Sequence, residues 1–181
     1  MASWSRIARR IRVPLGFVFA ALYVWLAKPG PGSVASGAAL VIAGLLIRAA
    51  ASGHVQKNQQ LTMTGPYAYT RNPLYLGSLI LALGFVIAAR SLWIAVIFVG
   101  MLLIIYLPVI RSEEEYLAQR FPEFPQYARR VPRLLPRLSA SGGNQGAFSW
   151  DLYWKHREYN ATLGCAAIMA ALLLKLYWIS K

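Results

Sequence analysis

Three consecutive glutamates, Glu113 to Glu115, hold half of the six acidic residues in this chain of 181. A carboxylate so placed can bind the hydroxyl groups of a ribose or an ammonium group. It can equally favour a helix N-terminus, whose dipole attracts negative charge, or pair with nearby arginines. The residues alone do not choose between a ligand site and a structural role.

A second cluster covers residues 65–77 and reads GPYAYTRNPLYLG. Pro73 suits the first turn of a helix, where its missing N–H is harmless. The free N–H groups of such a helix start can bind a carboxylate, and Tyr67 or Tyr75 can stack on an adenine or a sulfonium cation. An interfacial aromatic belt with a basic anchor explains the same composition equally well.

A third cluster runs from Gln56 to Thr62 and is rich in amide side chains. Amides donate and accept hydrogen bonds without net charge, which suits a nucleoside and the amino-acid end of a ligand. Taken alone, this stretch is more typical of an ordinary solvated loop.

The sequence lacks several familiar catalytic devices. It has no Cys/His metal set, no Gly-rich phosphate loop and no nucleophile elbow, so no metal site is predicted. If the protein is an enzyme, its reaction must use an activated cosubstrate that needs mainly positioning and desolvation. Methyl transfer from a sulfonium meets that requirement.

The elements that would position these clusters are apolar helices. Hydrophobic residues make up 57% of the chain, and a membrane-spanning helix needs about 20 of them in succession. Five segments approach that length: Val13–Ala27, Val34–Ala51, Leu74–Ala89, Leu92–Ile110 and Ala161–Ile179. Only Arg90 and Ser91 separate the third from the fourth, which predicts a tight helical hairpin. We therefore expect an all-α, polytopic membrane bundle of about five helices, with the first segment retained rather than cleaved.

Charge predicts the orientation of this bundle. The chain has 19 Lys and Arg residues and a net charge of +13, and most of the basic residues flank the apolar runs on one side. The positive-inside rule then places the N-terminus and the stretches 52–73 and 111–160 in the cytoplasm, and the C-terminus on the opposite side. Nucleic-acid binding is not expected, because that function needs a basic face on a soluble domain.

The stretch between the fourth and fifth segments has structure of its own. Ser112 to Arg120 is predicted to form a separate helix with Ser112 as its N-cap, and the prolines after it exclude a long helix. Trp150, Tyr153 and Trp154 are expected to form one aromatic face, either at the lipid headgroups or against the bundle. Within a single domain, 1–181, residues 147–181 would be an amphipathic segment followed by an additional C-terminal helix.

These motifs together resemble a known family. GPY at 65–67, RNPLYLG at 71–77 and the glutamates at 113–114, followed by Leu117, Phe121, Tyr127, Val131 and Pro132, are similar to the isoprenylcysteine carboxyl methyltransferases. The wider group includes the phospholipid N-methyltransferases. The resemblance covers residues 56–136, a methyltransferase-like core, and implies a cytoplasmic pocket for S-adenosylmethionine.

The resemblance also implies roles for individual residues. The family's cofactor positions fall on Gln56, Gln59, Gln60, Leu61, Thr62, Tyr67, Asn72, Pro73, Leu74, Tyr75 and Glu113. The family's substrate arginine would fall on Val109, so Arg111 is the nearest candidate for that role. Glu114 or Tyr106 would accept a proton if the methyl acceptor were an amine.

The acceptor itself stays open at this stage. We expect a lipophilic molecule from the bilayer, either an isoprenylcysteine-like carboxylate or the amine of a phospholipid. This chain has Asn72 where the family usually has histidine, and Pro122 where it usually has glycine. Two other functions fit the composition: an NADPH-dependent membrane sterol or steroid reductase, and a small membrane protein without enzymatic activity.

Overall fold

A computed structural model describes residues 18–56, 59–141 and 146–181 of the chain, and all regular secondary structure in those ranges is helical. The predicted all-α class is confirmed for these residues. In chain order the helices are α1 (18–26 in its described part), α2 (Pro31–Ser52), α3 (Pro73–Ala89), α4 (Leu92–Arg120), α5 (Phe124–Arg130), α6 (Trp150–Lys155) and α7 (Tyr159–Ile179). A short 3₁₀ helix, Gly65–Ala68, precedes α3.

Three of the described helices, α2, α4 and α7, are long and apolar enough to cross a membrane. Helix α3 is apolar but has only 17 residues, and residues 13–17 of the predicted first segment lie outside the described residues. Large apolar side chains on α4 and α7 are exposed, among them Leu92 (79%), Trp93 (69%) and Trp178 (74%). Side chains of this kind are stable when they face lipid. The chain is therefore a membrane protein, and the number of its spans stays a prediction.

Helix α4 corrects one prediction. A break before Ser112 was expected, but α4 continues to Arg120, and the Ser112 hydroxyl donates to the Val109 carbonyl instead of capping a new helix. Pro108 lies inside α4 without ending it. Leu102–Tyr106 immediately before it form a π-helical segment, and a local change of helical pitch of this kind accommodates proline by re-pairing the displaced carbonyls.

The predicted hairpin between α3 and α4 is confirmed. Helix α3 ends at Ala89, Arg90 adopts the left-handed conformation with φ of 48°, and Ser91 is extended before α4 begins at Leu92. A left-handed residue is a common way to end a helix. One such residue and one extended residue suffice for the connection.

Contacts divide the chain into two compact units. The first comprises Met1–Val41, Ala82–Glu113 and Leu163–Lys181, and the second comprises Ile42–Leu81 and Glu114–Thr162. A single domain over 1–181 stays a prediction.

In the first unit, α1 is held at its C-terminal end. The Tyr23 hydroxyl donates to the Phe85 carbonyl over 2.8 Å, and the two rings pack edge to face. Lys175 of α7 donates to the carbonyls of Val24 and Trp25, over 2.7 and 2.9 Å. An ammonium group at this position satisfies carbonyls that a helix end leaves without partners.

In the second unit, a charged side chain from an apolar helix is paired. Arg48 of α2 forms a salt bridge with Glu158, which precedes α7, and donates a hydrogen bond to Ser78 of α3. Glu158 is buried. A charge in such surroundings is tolerated when it is paired and hydrogen-bonded. This ion pair therefore holds Glu158, the residue before α7, against Arg48 of α2.

Glycines let α2 and α3 approach closely. In the second unit, a Cβ atom built on Gly44 would lie 2.6 Å from the Gly77 carbonyl oxygen, and one on Gly77 would lie 2.7 Å from that of Gly44. In the first unit, Gly37 and Gly84 are related in the same way, at 2.5 and 2.6 Å. Small residues are a common device for tight packing between membrane helices.

We predict that Gly44→Ala destabilises the protein by about 1–3 kcal/mol, the usual cost of overpacking, because its new methyl group meets backbone atoms. The matched control is Gly100→Ala in α4, where a Cβ would meet no atom within 4 Å. That change should stabilise the helix by up to about 1 kcal/mol. Thermal unfolding in detergent measures both variants, and equal stabilisation of the two would contradict this account of the packing.

Candidate functional site

The carboxylate of Glu114 is the centre of the candidate site. It is buried, with 6% of the residue exposed. One oxygen, Oε1, accepts a hydrogen bond from Asn72 Nδ2 over 2.9 Å, and the other, Oε2, accepts one from Arg133 Nε over 2.8 Å. The structure thus brings the predicted glutamate motif into direct contact with the predicted motif at the start of α3.

Arg71 adds a second guanidinium to this carboxylate. Its Nε lies 3.4 Å from Glu114 Oε1, and the guanidinium stands 6.0 Å from the centre of the Phe124 ring. The same Nε is buried without a hydrogen-bond partner in the described part of the chain. Two arginines share one carboxylate, so these three side chains carry a net positive charge.

Asn72, which stands where the family it resembles usually has histidine, makes two hydrogen bonds from its side-chain nitrogen. Its Nδ2 donates both to Glu114 and, over 3.1 Å, to the Arg133 carbonyl. A neutral imidazole has a single N–H donor and cannot make both bonds. The predicted first-turn position of Pro73 is confirmed, because α3 begins at that residue.

Residues 132–141 lie along the motif and are fixed to its backbone. The amide of Arg71 donates to the Pro132 carbonyl over 2.9 Å, and the amide of Arg137 donates to the Tyr69 carbonyl over 3.0 Å. The hydroxyl of Thr70 lies 3.1 Å from the carbonyl oxygens of Arg133 and Leu134. These bonds hold a segment without regular secondary structure against residues 69–72.

A small hydrophobic cluster supports the same region from α5. Phe124, Tyr127 and Val131 are buried, and the partly buried residues Leu61, Leu117, Phe121 and Ala128 pack against them. The Tyr127 hydroxyl donates to the Tyr67 carbonyl over 2.7 Å. Burial raises the pKa of Tyr127 well above its ordinary value, the positive charge of Arg71 opposes that rise, and the charge of Glu114 adds to it. This hydroxyl therefore stays protonated and keeps its hydrogen bond.

The described residues of the amide-rich stretch differ in exposure. The backbone N–H of Gln56 donates to Thr62 Oγ1 over 3.2 Å, and Thr62 is buried. Gln59 and Gln60 are exposed, so their side chains remain accessible to a ligand. Residues 57 and 58 within this stretch lie outside the described residues.

The remaining predicted site residues have varied surroundings. Arg111, the predicted substrate arginine, is exposed, whereas Val109 is buried. Glu113, Leu74 and Tyr75 are half-buried. Their predicted roles in binding and catalysis stay predictions.

Three residues in this cluster were missed as site residues. Arg71 and Thr70 lie within the quoted motif, and their closeness to Asn72 was the available signal. Arg133 lies 19 positions after Glu114 in a proline-rich stretch, and no local spacing rule connects the two. Only the folded path of residues 132–141 brings it to the carboxylate.

The chain is similar to known proteins over its central region. The family model described as phospholipid methyltransferase matches residues 48–123. Residues 48–123 are therefore similar to that family, and this stretch is less than half of the chain. The match includes all of the predicted cofactor residues and both predicted catalytic residues, Arg111 and Glu114. The predicted resemblance is confirmed.

Two curated relatives are similar over this region. One is the cobalt-zinc-cadmium resistance protein CzcN of Cupriavidus metallidurans, 38% identical over 98 residues, which are 54% of this chain and 44% of the relative. The other is the nickel-cobalt-cadmium resistance protein NccN of Alcaligenes xylosoxydans xylosoxydans, 40% identical over 84 residues, or 46% of this chain and 39% of the relative. The chain thus matches less than half of the length of either relative. No solved structure matches it.

We predict that Glu114→Gln destabilises the protein by about 3 kcal/mol, because it leaves two guanidinium groups without a counter-charge. This is the low end of the usual range, since 44% of the Arg133 side chain is exposed and water screens its charge. Glu115→Gln is the matched control, because Glu115 is the adjacent residue of α4 and is exposed. It should change stability by less than about 0.5 kcal/mol. Unfolding in detergent is the measurement, and equal stability of both variants would show that the charge cluster does not hold the site.

Proposed function

We propose that this chain transfers a methyl group from S-adenosylmethionine to a lipophilic acceptor in the membrane. The observation that carries the proposal is the Asn72–Glu114 hydrogen bond. It joins two motifs that lie 42 positions apart in the sequence, both of them inside the region that matches the phospholipid methyltransferase family.

The available side chains suit such a cosubstrate. Gln59 and Gln60 present exposed amides, which can bind the polar ends of a nucleoside and an amino acid. The start of α3, at Pro73, would lie beside a carboxylate of the cosubstrate, since helix N-termini attract anions. By resemblance to the family, Glu113 would bind ribose hydroxyls or the ammonium group, and Tyr67 and Tyr75 would contribute aromatic surface.

The protein's part in the reaction would be mainly positioning. Bound S-adenosylmethionine supplies a methyl group already activated by its sulfonium, so the protein must hold it in line with the acceptor and exclude water. The Glu114 carboxylate accepts hydrogen bonds on both oxygens. We therefore assign it the role of holding Asn72 and Arg133 in place, and leave the predicted proton acceptance to Tyr106.

Both predicted acceptors remain in this proposal. A carboxylate of isoprenylcysteine type can attack a methyl group without a base, and Arg111, being exposed, would be available to bind it. A phospholipid amine must first lose a proton. The names of the two relatives indicate a setting, resistance to metals, rather than a methyl acceptor, and the proposed chemistry does not depend on that setting.

The proposal also includes a multi-pass topology of five helices with the N-terminus and site in the cytoplasm. The asymmetry of Lys and Arg supports this orientation. The 17 residues of α3 would extend over about 25 Å at 1.5 Å per residue. That is slightly less than the roughly 30 Å hydrocarbon core, which local thinning of the bilayer can accommodate.

We predict that the solubilised protein binds S-adenosylmethionine and S-adenosylhomocysteine but not NADPH in calorimetry. Glu113→Gln should weaken binding by about 1–3 kcal/mol, the cost of losing a hydrogen bond to a charged group. The exposed neighbour Glu115 provides the control, since Glu115→Gln should bind the cofactor like the unmodified chain. Binding of NADPH alone would support the reductase instead, and unchanged affinity in Glu113→Gln would remove that residue from the site.

A further inference from the structure

The stretch from α5 to Ser141 has an unusual surface. Leu135 and Leu138 are 80% and 105% exposed, although the backbone around them is held by the hydrogen bonds described above. Exposed leucines on a fixed backbone cannot withdraw from water by local rearrangement. Their position therefore favours contact with an apolar partner.

Arginines surround these leucines. Residues 124–141 include four arginines and no acidic residue, and Arg129 and Arg130 in the last turn of α5 are exposed. The side chain of Arg137 donates to the Arg130 carbonyl over 2.8 Å. This bond places the end of α5 beside the turn that carries Leu138, so the basic and apolar groups form one surface.

We propose that this Arg–Leu surface, formed by Arg129, Arg130, Leu135, Arg137 and Leu138, docks on the anionic phospholipid headgroups of the bilayer in which the protein resides. The leucines would enter the boundary between headgroups and acyl chains, and the arginines would pair with lipid phosphates. The proposal does not rest on methyl transfer.

Charge complementarity selects this partner over a second copy of the chain. In a two-fold symmetric dimer the same patch would face itself, so its arginines would face arginines. Like charges in contact disfavour such an interface. An anionic lipid surface instead provides the opposite charge and an apolar layer just below it.

The test places a fluorescent probe at Ser139, which is exposed between the leucines and Ser141. Ser139→Cys is labelled in the full chain carrying Cys165→Ala, and the protein is reconstituted in phosphatidylcholine nanodiscs with or without phosphatidylglycerol. Lipids with a nitroxide near the headgroup quench a probe that lies at the surface. We expect quenching to be at least twofold stronger with phosphatidylglycerol.

Charge variants then distinguish docking by this surface from general attraction between a basic protein and an anionic membrane. Arg129→Gln with Arg130→Gln should reduce quenching to the level of pure phosphatidylcholine, since each arginine near an anionic surface contributes about fivefold to association. Lys155→Gln with Arg157→Gln removes the same charge elsewhere and should leave quenching unchanged. Equal quenching in both lipids, equal effects of the two double variants, or energy transfer between probes on two copies would overturn the proposal.

Hydrogen exchange provides a second measurement on the unmodified chain. Amide exchange in residues 134–139 should slow when phosphatidylglycerol is added. Unchanged exchange in this segment would count against lipid docking, whatever the yield of the labelled variants.

Discussion

The candidate site in the second unit is organised around the buried carboxylate of Glu114. Glu114 is a carboxylate with an amide and two guanidinium groups around it, and each of these groups comes from a different part of the chain than α4. An unpaired carboxylate in this position would be strongly unfavourable, so Arg71, Asn72 and Arg133 must stay in place while it is charged. The start of α3 and the path of residues 132–141 both follow from that requirement.

The long helices must also be stable in a membrane, which requires apolar surfaces and pairing of the charges that they carry. These helices expose apolar side chains, and α2 and α3 pack through glycines, whereas the charged residues of α2 and α7 are paired or bonded to carbonyls. Arg48 with Glu158, and Lys175 with the end of α1, are the two clearest examples. Pairing of this kind lets a charged group lie on an apolar helix without exposing its charge to the hydrocarbon.

Much of this architecture follows from local sequence. The apolar runs predicted α2, α3 and α7 to within a few residues, and Arg90-Ser91 predicted the hairpin, because helix length and helix ends depend on neighbouring residues. The predicted end of α4 at Ile110 was wrong, because Ser112 and the acidic residues after it suggested a new helix start. In the structure the helix continues to Arg120, and the Ser112 hydroxyl donates to the Val109 carbonyl of the same helix.

Part of the candidate site could be predicted from local motifs, and part depends on contacts between distant residues. Family motifs indicated Asn72 and Glu114, and their contact confirms that the two motifs meet. Arg133 was not identified, since its approach depends on hydrogen bonds from Arg71, Asn72 and Thr70 to residues 132–134. Long-range contacts of a proline-rich segment leave no pattern in the sequence.

We propose that the Asn72–Glu114 contact supports methyl transfer to a membrane lipid or lipid-modified acceptor. The most direct measurement is the transfer of a radiolabelled methyl group from S-adenosylmethionine into the organic extract of membranes that contain equal amounts of the unmodified chain or of Asn72→Leu. The account predicts labelled lipophilic product with the unmodified chain and at least a tenfold loss with Asn72→Leu, which keeps the side-chain size but removes both donors. Equal labelling by the two proteins, or no label in the extract from the unmodified chain, would contradict it.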